Sequence, residues 1–255
     1  MSAALKTRQL ALAASSLLLF AASSCNHFSA HAPGSSAVSP VAKSSGGPTV
    51  RTYYFVPTDR PAKPAYASAV GQAVQDVQGW YRRQMRGVTF RPADPLVTTL
   101  TLPHPAAYYT ASSDFWNSVL KDAFSLSGGS FNDPNSIWIY YVDADPACHQ
   151  TTGGTSGVAL LPANDLRGLT GETTVPDCGG PPGPQYPVIR WIGGLGHEGG
   201  HAFGLPHPPG CDQGLPSCDS KALMWLGFYD YPNTYLRPDE IDTLKRSPFF
   251  LPGMP

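Results

Sequence analysis

The chain has 255 residues, enough for one sizeable domain with a tail, and 42% of them are hydrophobic, enough for a packed core. Only 14% are charged and the formal net charge is −1, which gives no basis for electrostatic capture of nucleic acid. With 26 glycines and 27 prolines, long and well-punctuated loops are expected rather than long regular elements.

Residues 1–25 open with a short basic region (Lys6, Arg8), followed by an apolar run from Leu10 to Ala22. This is the layout of an export signal, and the run is too short to span a bilayer comfortably. Ala22-Ser23-Ser24-Cys25 resembles a bacterial lipobox in which Cys25 is acylated, except that Ala22 stands where Leu is usual. Simple secretion is the alternative, so contact with a membrane is expected only through a lipid on Cys25. Residues 26–48, rich in Ser, Ala, Gly and Pro, read as a flexible linker too short to hold a folded pro-domain. Residues 49–255 are the folded part, expected as a monomer. Of five cysteines, four fall in it: Cys148, Cys178, Cys211 and Cys218. In an exported chain they invite two disulfides. Cys148–Cys178 and Cys211–Cys218 are favoured, because the second pair closes a short Gly/Pro loop.

The folded part begins with a β-branched and aromatic strand, Val50–Val56, ended by Pro57. A helix follows from Ala65 to Met85, with Val70, Ala73, Val74, Val77 and Tyr81 on one apolar face. Leu96–Leu102 alternates as a strand, and Ser113–Phe124 is a second helix with Phe115, Val119 and Leu120 inward. Ser136–Val142 (SIWIYYV) reads as a buried strand, and Gly157–Leu161 as another after a Gly-rich turn at Gly153–Gly154. Pro187 opens a further helix and Pro238–Lys245 makes a short final one. Strands interleaved with two long helices predict an α/β or α+β fold with a twisted mixed sheet.

The helix after Pro187 carries HEGGHAFGLPH, residues 197–207. His197 and His201, four apart, project from one helix face a turn apart and can share one Zn²⁺. Glu198 points to the side of that ion, where a general base is needed. Gly204 suits a left-handed helix stop, after which Leu205-Pro206 redirects the chain and His207 can approach the same ion. Gly193, Gly194, Gly196, Gly199 and Gly200 weaken the helix by roughly 0.8–1 kcal/mol each. Burial of a smooth backbone face against the sheet must offset that loss. Three histidines, an open fourth position and an adjacent carboxylate fit a catalytic ion rather than a structural one.

HEGGHAFGLPH resembles the extended zinc motif of the metzincin metallopeptidases. The resemblance implies a zincin-like α+β catalytic domain, a single catalytic zinc, and hydrolysis of peptide bonds in an extended substrate by a water that Glu198 activates. It also implies that Met224 lies in a tight turn beneath the histidines and that Tyr235–Phe250 forms the closing helix. Gly157, Val158, Ala159 and Leu160 would belong to the edge strand that pairs with substrate. Trp225–Pro232 would wall the pocket for the residue after the cut bond. The position two after the Met, where some members place a Tyr, is Leu226, which leaves Tyr229 and Tyr231 as candidates for that role. Asp143 and Asp145 are candidates for a Ca²⁺ site, against the plainer reading of a solvated loop. The competing functions are a narrow-specificity amidohydrolase and an inactive zinc-binding surface lipoprotein.

Overall fold

The computed structural model describes residues 47–148, 152–175 and 185–250. Cys25 and the export signal lie outside these residues, as does Cys178, on which the Cys148–Cys178 pairing depends. Five strands form one sheet: β1 (Thr49–Val56), β2 (Thr98–Thr101), β3 (Ser136–Val142), β4 (Gly153–Thr155) and β5 (Val158–Leu161). Their order is β2-β1-β3-β5-β4, parallel throughout except for β4, which runs antiparallel to β5 at the edge. The result is an α+β fold with the mixed sheet that the sequence implies.

Both faces of this sheet are covered, with side chains alternating between them. Tyr54, Val56, Ile137, Ile139, Tyr141, Ala159 and Leu161 face helices α1 (Pro64–Gln84), α4 (Ala163–Leu169) and α5 (Val188–Ala202). Tyr53, Phe55, Trp138, Tyr140, Val142, Val158 and Leu160 face α2 (Ala106–Thr110) and α3 (Phe115–Ser127). Two-sided burial is why SIWIYYV shows no polar alternation: every residue of β3 is buried. The apolar face expected on α1 is buried as a set, joined by Trp80. On α3, Asp114 caps the start by accepting from the Asn117 amide, and Gly128 ends it in the left-handed region. The last helix, α6, spans Pro238–Lys245 as expected.

One expected turn is instead a strand. Gly153 and Gly154, which propensity reads as a turn, form most of β4. The reason is steric. A Cβ on Gly154 would sit 2.0 Å from the Glu198 carbonyl oxygen, so glycine lets the strand lie directly on the α5 backbone.

The glycines of α5 serve the same close approach, against partners other than those expected. A Cβ on Gly193 would meet the Phe228 carbonyl oxygen at 2.3 Å and Tyr231 Cβ at 2.7 Å. One on Gly200 would meet Met224 Sδ at 2.3 Å. Gly193 and Gly200 therefore face the segment after the histidine motif, while other parts of α5 pack on the sheet at β4 and β5. Tyr81 fixes α1 to the same helix by donating its buried hydroxyl to the Gly196 carbonyl at 3.0 Å.

Gly199 differs, because a Cβ there meets nothing within 4 Å. Gly199→Ala should therefore stabilise the fold by up to about 1 kcal/mol through helix propensity. Gly193→Ala should destabilise it by about 1–3 kcal/mol through overpacking. Urea denaturation of the two variants checks this, and equal effects would contradict the packing described.

Candidate metal centre

Helix α5 sets His197 and His201 one turn apart and then stops as the motif implies. Gly204 adopts φ +90°, the Leu205 amide donates to the Gly200 carbonyl (3.0 Å), and the Gly204 amide to that of His201 (2.9 Å). The chain turns back, and His207 meets the other two rings. His201 Nε2 lies 3.1 Å from the Nε2 atoms of both His197 and His207.

What faces inward is decided on the far side of each ring. His197 Nδ1 lies 2.8 Å from the Leu223 carbonyl and His201 Nδ1 2.8 Å from that of Leu205. His207 Nδ1 lies 2.7 Å from Asp212 Oδ1. Carbonyls and carboxylates only accept, so each Nδ1 carries the proton and each neutral Nε2 presents a lone pair. Burial reinforces this by pushing the His197 pKa down to about 3, and it also lowers that of His201. Three converging lone pairs repel one another unless a cation sits between them. Their 3.1 Å spacing suits ligands about 2.0–2.1 Å from a common ion. The donor set fits a metal ion, and among the described residues it is the group of His, Cys, Asp or Glu side chains that can hold one.

Glu198 turns toward β4, where the Gly154 amide donates to its carboxylate. Burial first, and the nearby Asp165 carboxylate second, push its pKa up to about 8, against the pull of the Gly154 amide and Arg190. A carboxyl poised near neutrality beside the three histidines can take up a proton and give it back.

Met224 is fully buried beneath α5 at Gly200. Its neighbours hold the histidines from below. Leu223 supplies the carbonyl to His197, and the Trp225 ring packs on edge against His207 at 4.8 Å between centroids. Phe228 lies 5.1 Å from His197 in the same manner.

Several expectations need correction. Val158, Ala159 and Leu160 are fully buried in β5, which has β3 on one side and β4 on the other, so neither they nor Gly157 form the edge strand. Gly157 is a turn residue at φ +86° whose amide donates to the Ala202 carbonyl at 3.1 Å. The edge is β4. Tyr231 is buried against Trp80 and donates its hydroxyl to Asp76, away from the histidines. Tyr229, by contrast, is 40% exposed and lies tilted against Phe228 with 4.4 Å between ring centroids, so its candidacy is not overturned. Asp143 and Asp145 are taken up by Arg60 at 2.5 Å and Arg167 at 2.8 Å instead of facing a common ion.

The Cys211–Cys218 disulfide is present. It closes the loop that carries Asp212, a residue the sequence did not mark. The only hint was a carboxylate beside a cysteine, five residues after His207.

The fold is similar to that of OgpA from Akkermansia muciniphila. Two crystal structures of the wild-type protein superpose with TM-scores of 0.55 and 0.54 at 16% identity. They cover 84% and 85% of this chain and 64% and 65% of theirs. A third, of catalytically inactive OgpA in complex with an O-glycopeptide (glycodrosocin) substrate, gives 0.52 at 17% identity, with coverages of 85% and 65%. This chain thus spans just under two thirds of the length of those structures. No protein-family model and no curated protein matches the sequence.

Because Asp212 accepts from His207 Nδ1, Asp212→Ala should weaken the affinity of the three-histidine site for a divalent metal ion about 10–100-fold, read by competition with a chromogenic chelator. An unchanged affinity would remove Asp212 from the site. Removing metal from the native protein should lower its melting temperature markedly, since the three imidazoles then face one another uncompensated. Calorimetry before and after chelation measures this directly.

Proposed function

We propose that this chain is an exported, zinc-dependent endopeptidase of metzincin type, acting as a monomer on peptide chains in extended form. The observation that supports this most is the pairing of two features. Three histidines are held with their Nε2 lone pairs on one point, and the buried Glu198 carboxyl of the same helix stands beside them, held by the Gly154 amide of the edge strand. A purely structural site has no use for Glu198.

Zinc held by His197, His201 and His207 would supply Lewis acidity, polarising a peptide carbonyl and acidifying water. The chain's own residues do the rest. The Glu198 carboxylate accepts the proton of the attacking water and passes it to the departing amine nitrogen. The Gly154 amide holds that carboxylate in place. The outer edge of β4 offers main-chain groups to an extended peptide, which fixes the scissile bond by strand addition. Met224, with Leu223 and Trp225, forms the floor that keeps the imidazoles from tilting.

Export is supported by the apolar run in residues 1–25, with Cys25 as a site of lipid attachment, and by the closed Cys211–Cys218 bond. No helix among the described residues is long and apolar enough to cross a membrane. Residues 26–48 would serve as the tether and 49–255 as the catalytic domain. The O-glycopeptide bound by OgpA makes glycosylated peptides worth testing beside plain ones.

The purified, zinc-loaded chain should cleave casein or O-glycosylated peptides, and a chelator should stop it. Glu198→Ala should keep its zinc while losing a factor of about 10³ or more in rate. Undiminished turnover in that variant, or cleavage that survives complete chelation, refutes the reading.

A further inference from the structure

Beside His197 and Glu198, which form one side of it, lies a cavity of about 110 Å³ that extends away from the other two histidines. Leu160, Leu161, Pro162 and Phe228 wall it, and two opposite charges face into it: Asp165 from the first turn of α4 and Arg190 from the first turn of α5. Attraction should bring such a pair together. Yet among the described residues neither Asp165 nor Arg190 is part of an ion pair within 4.0 Å.

Aromatic rings explain the gap. The Arg190 guanidinium carbon lies 4.2 Å from the centre of the Trp191 ring, 4.9 Å from Phe228, 5.1 Å from Tyr229 and 5.9 Å from Tyr186. Four rings hold the cation by its faces. Its Nε is buried and has no acceptor among the described residues. Asp165 cannot follow, because it is fixed by the start of α4 behind Pro162. The two groups are therefore held apart across an open space, one able only to donate and the other to accept.

The geometry points to a specificity pocket that takes a small, uncharged polar side chain of the substrate, a hydroxyl or carboxamide, bridging Asp165 and Arg190. This deepens the peptidase reading and rests on it. A hydroxyl or carboxamide can donate to the Asp165 carboxylate and accept from the Arg190 guanidinium at once. A Lys or Arg side chain can pair with Asp165 but then faces the Arg190 charge, and an Asp or Glu side chain can pair with Arg190 but then faces Asp165 and Glu198. An aliphatic side chain strands both charges without partners. A Phe ring leaves both charges without partners in the same way. Serine, threonine and asparagine remain.

The test does not require turnover. A series of amino-acid hydroxamates, anchored on the metal and differing only in the neighbouring side chain, is titrated calorimetrically into the zinc-loaded full chain. The Ser, Thr or Asn members should bind at least about tenfold more tightly than the Leu, Phe, Lys or Asp members. Asp165→Asn and Asp165→Ala should both erase that preference when each variant's affinities are taken relative to its own affinity for acetohydroxamate, which has no side chain to place. Tighter binding of the Leu or Phe members overturns the inference, and so does a preference that survives both substitutions. Casein cleavage is read separately. If the series shows the expected preference but no peptide is cut, the pocket stands and the endopeptidase reading falls.

Discussion

Helix α5 must lie within backbone contact of two other segments at once, and the rest of the molecule is arranged to permit it. Gly193 and Gly200 admit the segment that runs from Leu223 to Tyr231, while β4 contributes its own glycine, Gly154, against Glu198. A side chain at any of these positions would push its partner outward by the width of a methyl group or more. That distance is what places the Leu223 carbonyl under His197 and the Gly154 amide on Glu198. The helix gives up intrinsic propensity for this, and recovers stability through packing against α1, α4 and the sheet.

The same closeness explains the electrostatics. With water excluded, burial makes charge on His197 costly and raises the cost of ionising Glu198. The His197 and His201 imidazoles are held neutral, as ligands must be, and the Glu198 carboxyl has its pKa pushed up to about 8. Arg190 is the exception, a cation retained near the cavity because aromatic faces replace part of its hydration.

Much of this was legible in the sequence because it rests on periodicity. The spacing of His197 and His201, the Gly204 stop and the apolar stripe of α1 all follow from 3.6 residues per turn. SIWIYYV needed only its length and its β-branched and aromatic content. The failures share a different cause. Gly153 and Gly154 looked like a turn because propensity scores a residue against its neighbours in sequence, whereas their partner is Glu198, more than forty residues away. The edge strand was consequently assigned to β5, one strand too far inward. Tyr231 was a candidate at the site until tertiary packing turned it toward Asp76. Asp165 and Arg190 carry no local pattern, since what gives each its role is a contact made across the fold, and Asp212 has only its place beside Cys211.

The three imidazoles are not held in the same way. His197 and His201 ride on one rigid helix, whereas His207 hangs on a separate, partly exposed loop steadied by Asp212 and the Cys211–Cys218 closure. An ion bound there would take two ligands from one rigid helix and the third from a disulfide-closed loop. Exchange of that ion with solvent needs only a local opening of the loop, which costs far less than unfolding the domain. Of the three ligands, His207 is therefore the one whose release would not require α5 to unfold.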